Sequence, residues 1–216
     1  MELDLVTRRR SAVLSALGIA FGLLVWLGVG AEPAEAKVFL TRLEALKLAF
    51  PDCEVDRKTH YLTDEQKQGA EKAAGVELSS ALAYSYRATC GGSFAGTAYF
   101  DSHLVRTLPE TIMIVVDPDN KITRIEIVEF SEPEDYIPMD RWYAQFHGKG
   151  LDRELQLKRS IRGVTGATLT ARATTDAARR VLALHQVLNQ ALAETENVPK
   201  EEPSVDKEAD GSGETP

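Results

Sequence analysis

The stretch TIMIVVDPDNKITRIEIVEF, residues 111–130, decides the fold class of this 216-residue chain. Its first part, Ile112–Val116, is a short, continuous apolar run of the kind found in strands that are covered on both faces. Asp117–Asn120 supplies a turn, and the β-branched residues of Lys121–Phe130 follow at once. The stretch therefore predicts a β-hairpin whose first strand is buried on both faces.

Two further strands are predicted before the hairpin. Apolar residues alternate from Val76 to Thr89, which is typical of a half-buried strand. Cys90–Gly92 breaks this pattern, and Phe94–Phe100 has the composition of another strand. The sequence thus indicates four strands connected as a meander.

Helical patterns lie on either side of these strands. Phe39–Phe50 ends at a proline, and a polar helix from Thr63 to Ala74 ends at Gly75. Tyr136–His147 predicts a loop or short helix with clustered aromatic residues. A long amphipathic helix follows, with an apolar stripe at Ala173, Ala177, Val181, Leu184, Leu188 and Leu192. The predicted fold is α+β: an antiparallel meander sheet with N-terminal helices and a C-terminal amphipathic helix packed on it.

The first 36 residues have the order of a secretory signal. Three arginines at residues 8–10 precede an apolar run over residues 11–30, and small residues 34–36 follow. This order predicts export, with cleavage between Ala36 and Lys37. The apolar run has about the length that spans a bilayer, so an N-terminal membrane anchor is the alternative. Either outcome predicts that the rest of the chain is periplasmic or otherwise exported.

Residues 37–193 are predicted to form one domain, and residues 194–216 an acidic tail. The tail carries eight acidic residues and two lysines, with valine as its only large apolar residue type. Such a segment has too little apolar surface to offset its ordering entropy, so the sequence predicts disorder. Removing the tail's charge of −6 and the −1 of residues 1–36 from the total of −8 leaves about −1 on the domain. Nothing in this charge indicates a nucleic-acid partner.

The cysteines and histidines predict no metal or haem site. Cys53 and Cys90 could form one disulfide in an exported protein, and the sequence leaves open whether they pair or stay separate thiols. They form no haem-attachment motif and are too few to hold an iron–sulfur cluster. The histidines show no ligand spacing; they are His60, His103, His147 and His185.

The stretch GVTGATLT, residues 163–170, places three hydroxyl side chains among small residues just before the long helix. Hydroxyls and glycines at this position can cap a helix, whose first four N–H groups need acceptors. The same exposed N–H groups and the positive end of the helix dipole also suit a phosphate, which small side chains allow to approach. Composition alone leaves both interpretations open.

TGATLT at Thr165–Thr170, with the helix ARATTDAARRVL behind it and the hairpin of residues 111–130 before it, resembles the Ser/Thr-Gly-Ala-Thr flavin-attachment motif of the FMN-binding domain family. This family includes the periplasmic flavoprotein subunits of Rnf-type and sodium-pumping NADH:quinone reductase complexes, and the flavin domain of the nitrous-oxide-reduction regulator. The likeness extends roughly from Leu78 to Leu188.

In that family the last threonine of the motif is joined to FMN by a phosphoester that a dedicated flavin transferase forms. The resemblance therefore implies FMN as cofactor, Thr168 as the attachment point and a flavin transferase as maturation partner. It also implies that an acidic residue after the strand pair, here Glu132, lies near the flavin. The remaining residues assigned to the cofactor are Thr165, Gly166, Ala167, Leu169 and Thr170.

Three features leave alternatives open. Many family members carry Asp three residues before the motif, where this chain has Arg162. The arginine either pairs with the FMN phosphate or marks a site that the transferase does not recognise, so noncovalent binding is the alternative. Glu132 either accepts a hydrogen bond from the flavin or ends a strand. The aromatic residues Tyr136, Trp142 and Tyr143 either contact the flavin ring or belong to the core.

The predicted function is that of an exported electron-transfer flavoprotein that relays electrons at the periplasmic side of the membrane. A membrane or periplasmic redox protein is expected as donor or acceptor, and no catalytic residue is assigned because the cofactor supplies the chemistry. The rival interpretation is a non-redox binding module in which TGATLT only caps a helix. An enzyme that reduces a small molecule is a third possibility.

Overall fold

The computed structural model of the protein describes residues 36–196, which contain one antiparallel sheet. Its strands are β1 (Lys37–Val38), β2 (Glu54–Tyr61), β3 (Leu82–Cys90), β4 (Ser93–Leu104), β5 (Pro109–Val116) and β6 (Ile122–Phe130). Their spatial order is β1-β6-β5-β4-β3-β2, and every neighbouring pair is antiparallel. From β2 to β6 the chain therefore forms a meander. β1 precedes these strands in the chain and pairs with β6 at the edge of the sheet.

Helices lie before, between and after these strands. Within the described range they are α1 (Arg42–Ala49), α2 (Asp64–Ala74), α3 (Asp140–Tyr143) and α4 (Thr168–Glu196), with 3-10 turns at Glu134–Tyr136 and Ala144–Phe146. Thr41 and Thr63 start α1 and α2 with complete capping boxes. The predicted α+β class, with an antiparallel sheet and a C-terminal helix, is confirmed.

The sheet is covered on both faces, as Ile112–Val116 predicts. Ile112, Ile114 and Val116 point into a core shared with α2 and α4, while Met113 and Val115 point into a second core shared with α1. This division follows from the period of two along a strand. All five side chains are at most 4% exposed, so β5, one of the two middle strands of the sheet, is buried on both faces.

The long helix α4 packs on the sheet along the predicted stripe. Ala177, Val181 and Leu188 are buried, and Ala173 and Leu184 are half-buried. The side chain of Leu192 lies outside the described side chains. The buried surface is wider than the stripe, because α2 packs against α4 as well. A helix in contact with two neighbours buries more than one row of side chains.

The sequence prediction of four strands is wrong, because it misses β1 and β2. β2 forms an edge of the sheet and is mostly exposed: Val55 and His60 are its only half-buried residues. A charged, exposed edge strand carries little of the apolar alternation on which the prediction depended. β1 has two residues, which is too short for any period to be visible.

Strand boundaries also differ from the prediction. β3 begins at Leu82, whereas the apolar alternation starts at Val76. Val76 and Leu78 are apolar because they pack against the core beneath α4 in the connection from α2, not because they belong to a strand. β4 runs four residues past the predicted end at Phe100. An alternation of apolar residues indicates which side chains are buried. A residue can be buried without being hydrogen-bonded in the sheet, so the alternation does not fix where a strand begins.

Cys53 and Cys90 form a disulfide, which the sequence left open. It joins the residue before β2 to the last residue of β3, and 37 positions separate the two cysteines. Closing a loop of this length stabilises the fold by about 3–4 kcal/mol in the chain-entropy account. The bridge therefore fastens the exposed edge strand to its neighbour.

The predicted N-terminal signal or anchor, except Ala36, lies outside the described residues. So does the predicted acidic tail beyond Glu196, since α4 continues three residues past Ala193, the predicted end of the domain. Within residues 36–196 no helix is long and apolar enough to cross a membrane.

Candidate functional site

A surface cleft of about 240 Å³ lies at the start of α4. We call it the motif cleft. The β4–β5 loop forms one part of its wall, the first 3-10 turn another, and the TGATLT motif a third. Its lining residues are Val105, Arg106, Tyr136, Gly166, Ala167, Thr168, Leu169 and Thr170. Most of the predicted motif is thus brought to one concave surface, while Thr165 is exposed beside it and does not line it.

The start of α4 has no side-chain cap among the described residues. Ala167 precedes the helix and has no side-chain oxygen, and the first turn contains no acidic residue. No described side chain accepts a hydrogen bond from the backbone N–H of Thr168, Leu169 or Thr170. In this respect α4 differs from α1 and α2, each of which begins with a complete capping box. The hydrogen bonds therefore do not support the interpretation that the motif only caps the helix.

Thr168 is the exposed hydroxyl of the cleft. Its Oγ1 donates a hydrogen bond to the carbonyl oxygen of Val164 at 3.0 Å. This contact fixes the rotamer and directs the hydroxyl hydrogen to the backbone, while the oxygen keeps its lone pairs. Gly166, two residues earlier, has φ of +87°, a conformation that side chains rarely adopt. The turn before Thr168 thus depends on glycine.

Thr170 and Ala167 form the base of the cleft. Thr170 is fully buried, and its Oγ1 donates to the carbonyl oxygen of Tyr136 at 2.6 Å. This bond joins the first turn of α4 to the 3-10 turn that carries Tyr136, which is half-buried at the cleft wall. Ala167 is 4% exposed, and Leu169 is 50% exposed at the rim. The hydroxyl of Thr170 therefore stabilises the cleft wall that carries Tyr136.

Glu132 lies behind the cleft wall and holds the β4–β5 loop. Its Oε1 accepts hydrogen bonds from the Thr107 N–H at 2.7 Å, the Leu108 N–H at 2.9 Å and the Thr107 hydroxyl at 3.1 Å. Donation by the Thr107 N–H is the largest cause that lowers the pKa of Glu132. Glu132 does not line the cleft, but it fixes the loop that presents Val105 and Arg106 there.

We expect Glu132→Gln to lower the free energy of unfolding by about 1–2 kcal/mol, because a neutral amide oxygen accepts these bonds less strongly than a carboxylate. Urea unfolding measures this change. Because folding lowers the pKa of Glu132, its contribution is present above the unfolded pKa and is lost as the pH falls through the folded value. The difference between the variant and wild type should therefore shrink in acid.

Glu129→Gln is the matched control, since Glu129 is half-buried near the end of β6, three residues before Glu132, and its side chain has no hydrogen bond within the described residues. An equal loss in both variants at neutral pH would show that Glu132 does not hold the loop. FMN titration of the two variants supplies an independent measurement, and weaker binding is expected for Glu132→Gln alone.

The aromatic candidates divide between the core and the cleft. Trp142 and Tyr143 are 6% and 8% exposed, and Trp142 packs edge-on against Tyr143 and Phe146 in the core beneath α4. Tyr136 alone of the three lines the motif cleft. Trp142 acts on the motif indirectly, because its Nε1 donates to the carbonyl oxygen of Arg162 at 2.6 Å.

The sequence did not predict which clefts Arg162 and Arg106 line. Arg162 is exposed and lines a different cleft, beside α3. The cation at the motif cleft is Arg106, in the β4–β5 loop. No sequence signal marks Arg106, because it lies about 60 residues before the motif and reaches it only through the pairing of β4 with β5.

The residues of the motif cleft fit a phosphate-bearing cofactor. An exposed hydroxyl, a helix start without a side-chain cap and one arginine are donors of the kind that a phosphate monoester accepts. Ala167 and Gly166 leave room for close approach, and Leu169 and Tyr136 supply apolar surface for an aromatic ring. Thr168, Arg106 and the first N–H groups of α4 are the groups that would hold the phosphate.

Comparison with protein families identifies the same segment. Residues 108–183, about a third of the chain, match the model of the FMN-binding domain. The match spans β5, β6, α3, the TGATLT motif and the first half of α4. Comparisons with curated proteins and with solved structures find no match. Residues 108–183 therefore match the FMN-binding domain, and this match indicates FMN as the cofactor of the protein.

Proposed function

We propose that this flavoprotein carries FMN on Thr168 through a phosphoester and relays electrons outside the cytoplasm. The observation that carries the proposal is the position of the Thr168 hydroxyl, exposed in the motif cleft at the uncapped start of α4. If a phosphoester forms at this oxygen, the first N–H groups of α4 and Arg106 are the groups that would hold its phosphate. A flavin transferase is the maturation partner that such a bond requires.

Relay of electrons suits this site better than turnover of an enclosed substrate. FMN, when bound, supplies reversible one- and two-electron chemistry, and the protein supplies position and electrostatic environment. The motif cleft lies at the surface, with Arg106, Thr168 and Leu169 exposed around it. A cofactor held there stays accessible to a membrane or periplasmic redox protein.

Two features support a location outside the cytoplasm. The arginines and apolar run of residues 8–30 have the order of an export signal or N-terminal anchor. The Cys53–Cys90 disulfide is of a kind that persists in oxidising compartments and is rare in the cytosol. The two features are independent of each other and favour the same compartment.

Export is tested by fractionating cells that express the full chain and sequencing the N-terminus of the protein in each fraction. We expect a product beginning at Lys37 in the periplasm, or an intact product in the inner membrane. The same preparations should be yellow, because FMN absorbs near the blue end of the spectrum. An intact, colourless product in the cytosol would contradict the proposal.

Noncovalent FMN binding is the second candidate, and the position of Arg162 favours it. The family's aspartate is replaced by this arginine, and Arg162 lines the cleft beside α3 and does not line the motif cleft. A transferase that reads the aspartate would then leave the cofactor unattached. Denaturation distinguishes the two candidates, because it releases a noncovalent flavin and retains a covalent one.

A further inference from the structure

A second cleft, of about 540 Å³, lies beside α3 and is strongly basic. We call it the basic cleft. Its cations are Arg141, Lys149 and Arg162, and no acidic residue lines it. The other lining residues are Met139, Trp142, Gln145, Ser160 and Gly163. Three positive charges in one concave surface favour an anionic occupant.

The three cations have no ion-pair partner among residues 36–191, whereas some other surface cations do. Lys37 pairs with Glu134, and Arg159 pairs with Glu154. The side of the cleft that carries Arg162 is also rigid, since Gln145 Oε1 accepts a hydrogen bond from the Arg162 N–H at 2.9 Å and Trp142 donates to its carbonyl oxygen. The cleft is therefore a fixed surface with uncompensated charge.

Residues 197–216 of the same chain have the complementary charge. They contain six acidic residues and two lysines, a net charge of −4, and they follow directly after α4. Carboxylates paired with arginine and lysine form charge-assisted hydrogen bonds, and arginine can bind a carboxylate through two N–H groups at once.

The end of α4 is close enough for these residues to reach the basic cleft. Asn189 of α4 donates to Asn120 Oδ1 at 3.4 Å, and Ile122, two residues after Asn120, donates its N–H to the carbonyl oxygen of Lys149 at 2.9 Å. From Asn189 to Glu196 the helix rises about 10 Å. A chain of about 20 residues has a root-mean-square span of about 25 Å even when it is flexible.

We propose that residues 197–216 bind in the basic cleft of their own chain, through ion pairs of their carboxylates with Arg141, Lys149 and Arg162. Attachment to the same chain gives the tail an effective concentration in the millimolar range, so individually weak ion pairs suffice. The bound tail covers a cationic surface next to the loop that leads into the TGATLT motif. This inference does not depend on the proposed function, because it concerns a different cleft.

Carbodiimide cross-linking of the full chain tests the proposal, because this reagent joins a lysine amine directly to a carboxylate in contact with it. At about 0.01 M salt, where the Debye length is about 30 Å, we expect peptide mapping to show Lys149 joined to acidic residues of the tail. At about 1 M salt, where that length is about 3 Å, the product should disappear. Lys58, exposed on the distant edge strand β2, is the control for random collision.

The variant Arg141→Gln/Arg162→Gln keeps Lys149 and removes two of the three charges. Its Lys149–tail product should fall about tenfold, to the level of Lys58, because two of the three proposed contacts that hold the tail in the cleft are lost. Both side chains are exposed, and a circular dichroism melt checks that the variant folds. Salt-insensitive cross-linking, or equal yields at Lys149 and Lys58, would overturn the proposal.

A mixture of isotopically heavy and light chains separates intramolecular from intermolecular binding. Products that join heavy Lys149 only to heavy tails support binding within one chain. Mixed products would overturn it, because they show that the tail binds a second copy.

Discussion

Thr168→Val should abolish covalent FMN after co-expression with a flavin transferase. Valine has nearly the shape of threonine but has no hydroxyl, so no phosphoester can form at this position. In the wild type, denaturing gel electrophoresis should show a fluorescent band, and mass spectrometry should show an increase of one FMN less one water. Both signals should be absent from the variant, because Thr168 is the exposed hydroxyl of the motif cleft.

Thr165→Val and Thr170→Val are the matched controls. Thr165 is exposed beside the cleft, so its variant should be labelled like the wild type. Thr170 is buried and donates to the Tyr136 carbonyl oxygen, so its variant should lose about 1 kcal/mol of stability and bind FMN less tightly while remaining labelled. Equal labelling of Thr168→Val and wild type would show that the attachment point is wrong. If neither is labelled and the folded wild type purifies yellow, the site binds FMN noncovalently.

His103→Leu should lower the free energy of unfolding by about 3–5 kcal/mol, because it removes one partner from a buried ionic network. His103 Nδ1 lies 2.8 Å from Asp101 Oδ1, and its Nε2 lies 3.1 Å from Glu110 Oε2. The Glu110 side chain is fully buried, and its other oxygen has no partner among the described residues. Without the imidazole, Glu110 would be left buried with neither hydrogen bond nor counter-charge. Urea or thermal unfolding measures the loss.

The charge of His103 can be tested directly. Burial disfavours the imidazolium, yet the hydrogen bonds to Asp101 and Glu110 outweigh burial and raise the pKa of His103 to about 9. Because the folded pKa lies above the unfolded value, this stabilisation is complete below about pH 6.5 and is lost as the pH rises through 9. NMR of the imidazole ring in the wild type should show a titration midpoint near that value.

His147→Leu is the control for the stability measurement, since His147 is exposed and its replacement should change stability by less than about 0.5 kcal/mol. His103→Gln should retain part of the stability, because an amide can still donate one hydrogen bond. A loss below about 1 kcal/mol in His103→Leu would contradict the network, because it would mean that Glu110 is solvated or has another partner.

The network also explains how α4 is held beside the motif cleft. Arg180 of α4 binds Asp101 through two nitrogen atoms, at 2.7 and 3.1 Å. Asp101 in turn contacts His103 on the same strand, which continues into the loop that carries Arg106. The helix that begins at the motif and the loop opposite it are thus joined by charge-assisted bonds.

The sequence by itself predicted the elements that have a clear local pattern, and the resemblance to the FMN-binding domain family. Residues 111–130 predicted the central hairpin, and the apolar stripe of residues 173–188 predicted α4, because periodicity along the chain follows directly from strand and helix geometry. The resemblance of TGATLT to the flavin-attachment motif predicted a flavin site at the start of α4. These features are visible in the sequence because each depends on residues within a few positions of one another.

The tertiary structure alone decided which distant residues line or support the motif cleft. Arg106 reaches the motif cleft only because β4 pairs with β5, and Glu132 stabilises the wall of the cleft by binding a loop about 25 residues away. The exposed edge strand β2 was missed because its stability comes from pairing with β3 and from the disulfide, not from an apolar face of its own. A sequence pattern reports how far each side chain is buried. Its partner across the fold depends on the pairing and packing of elements that lie far apart along the chain.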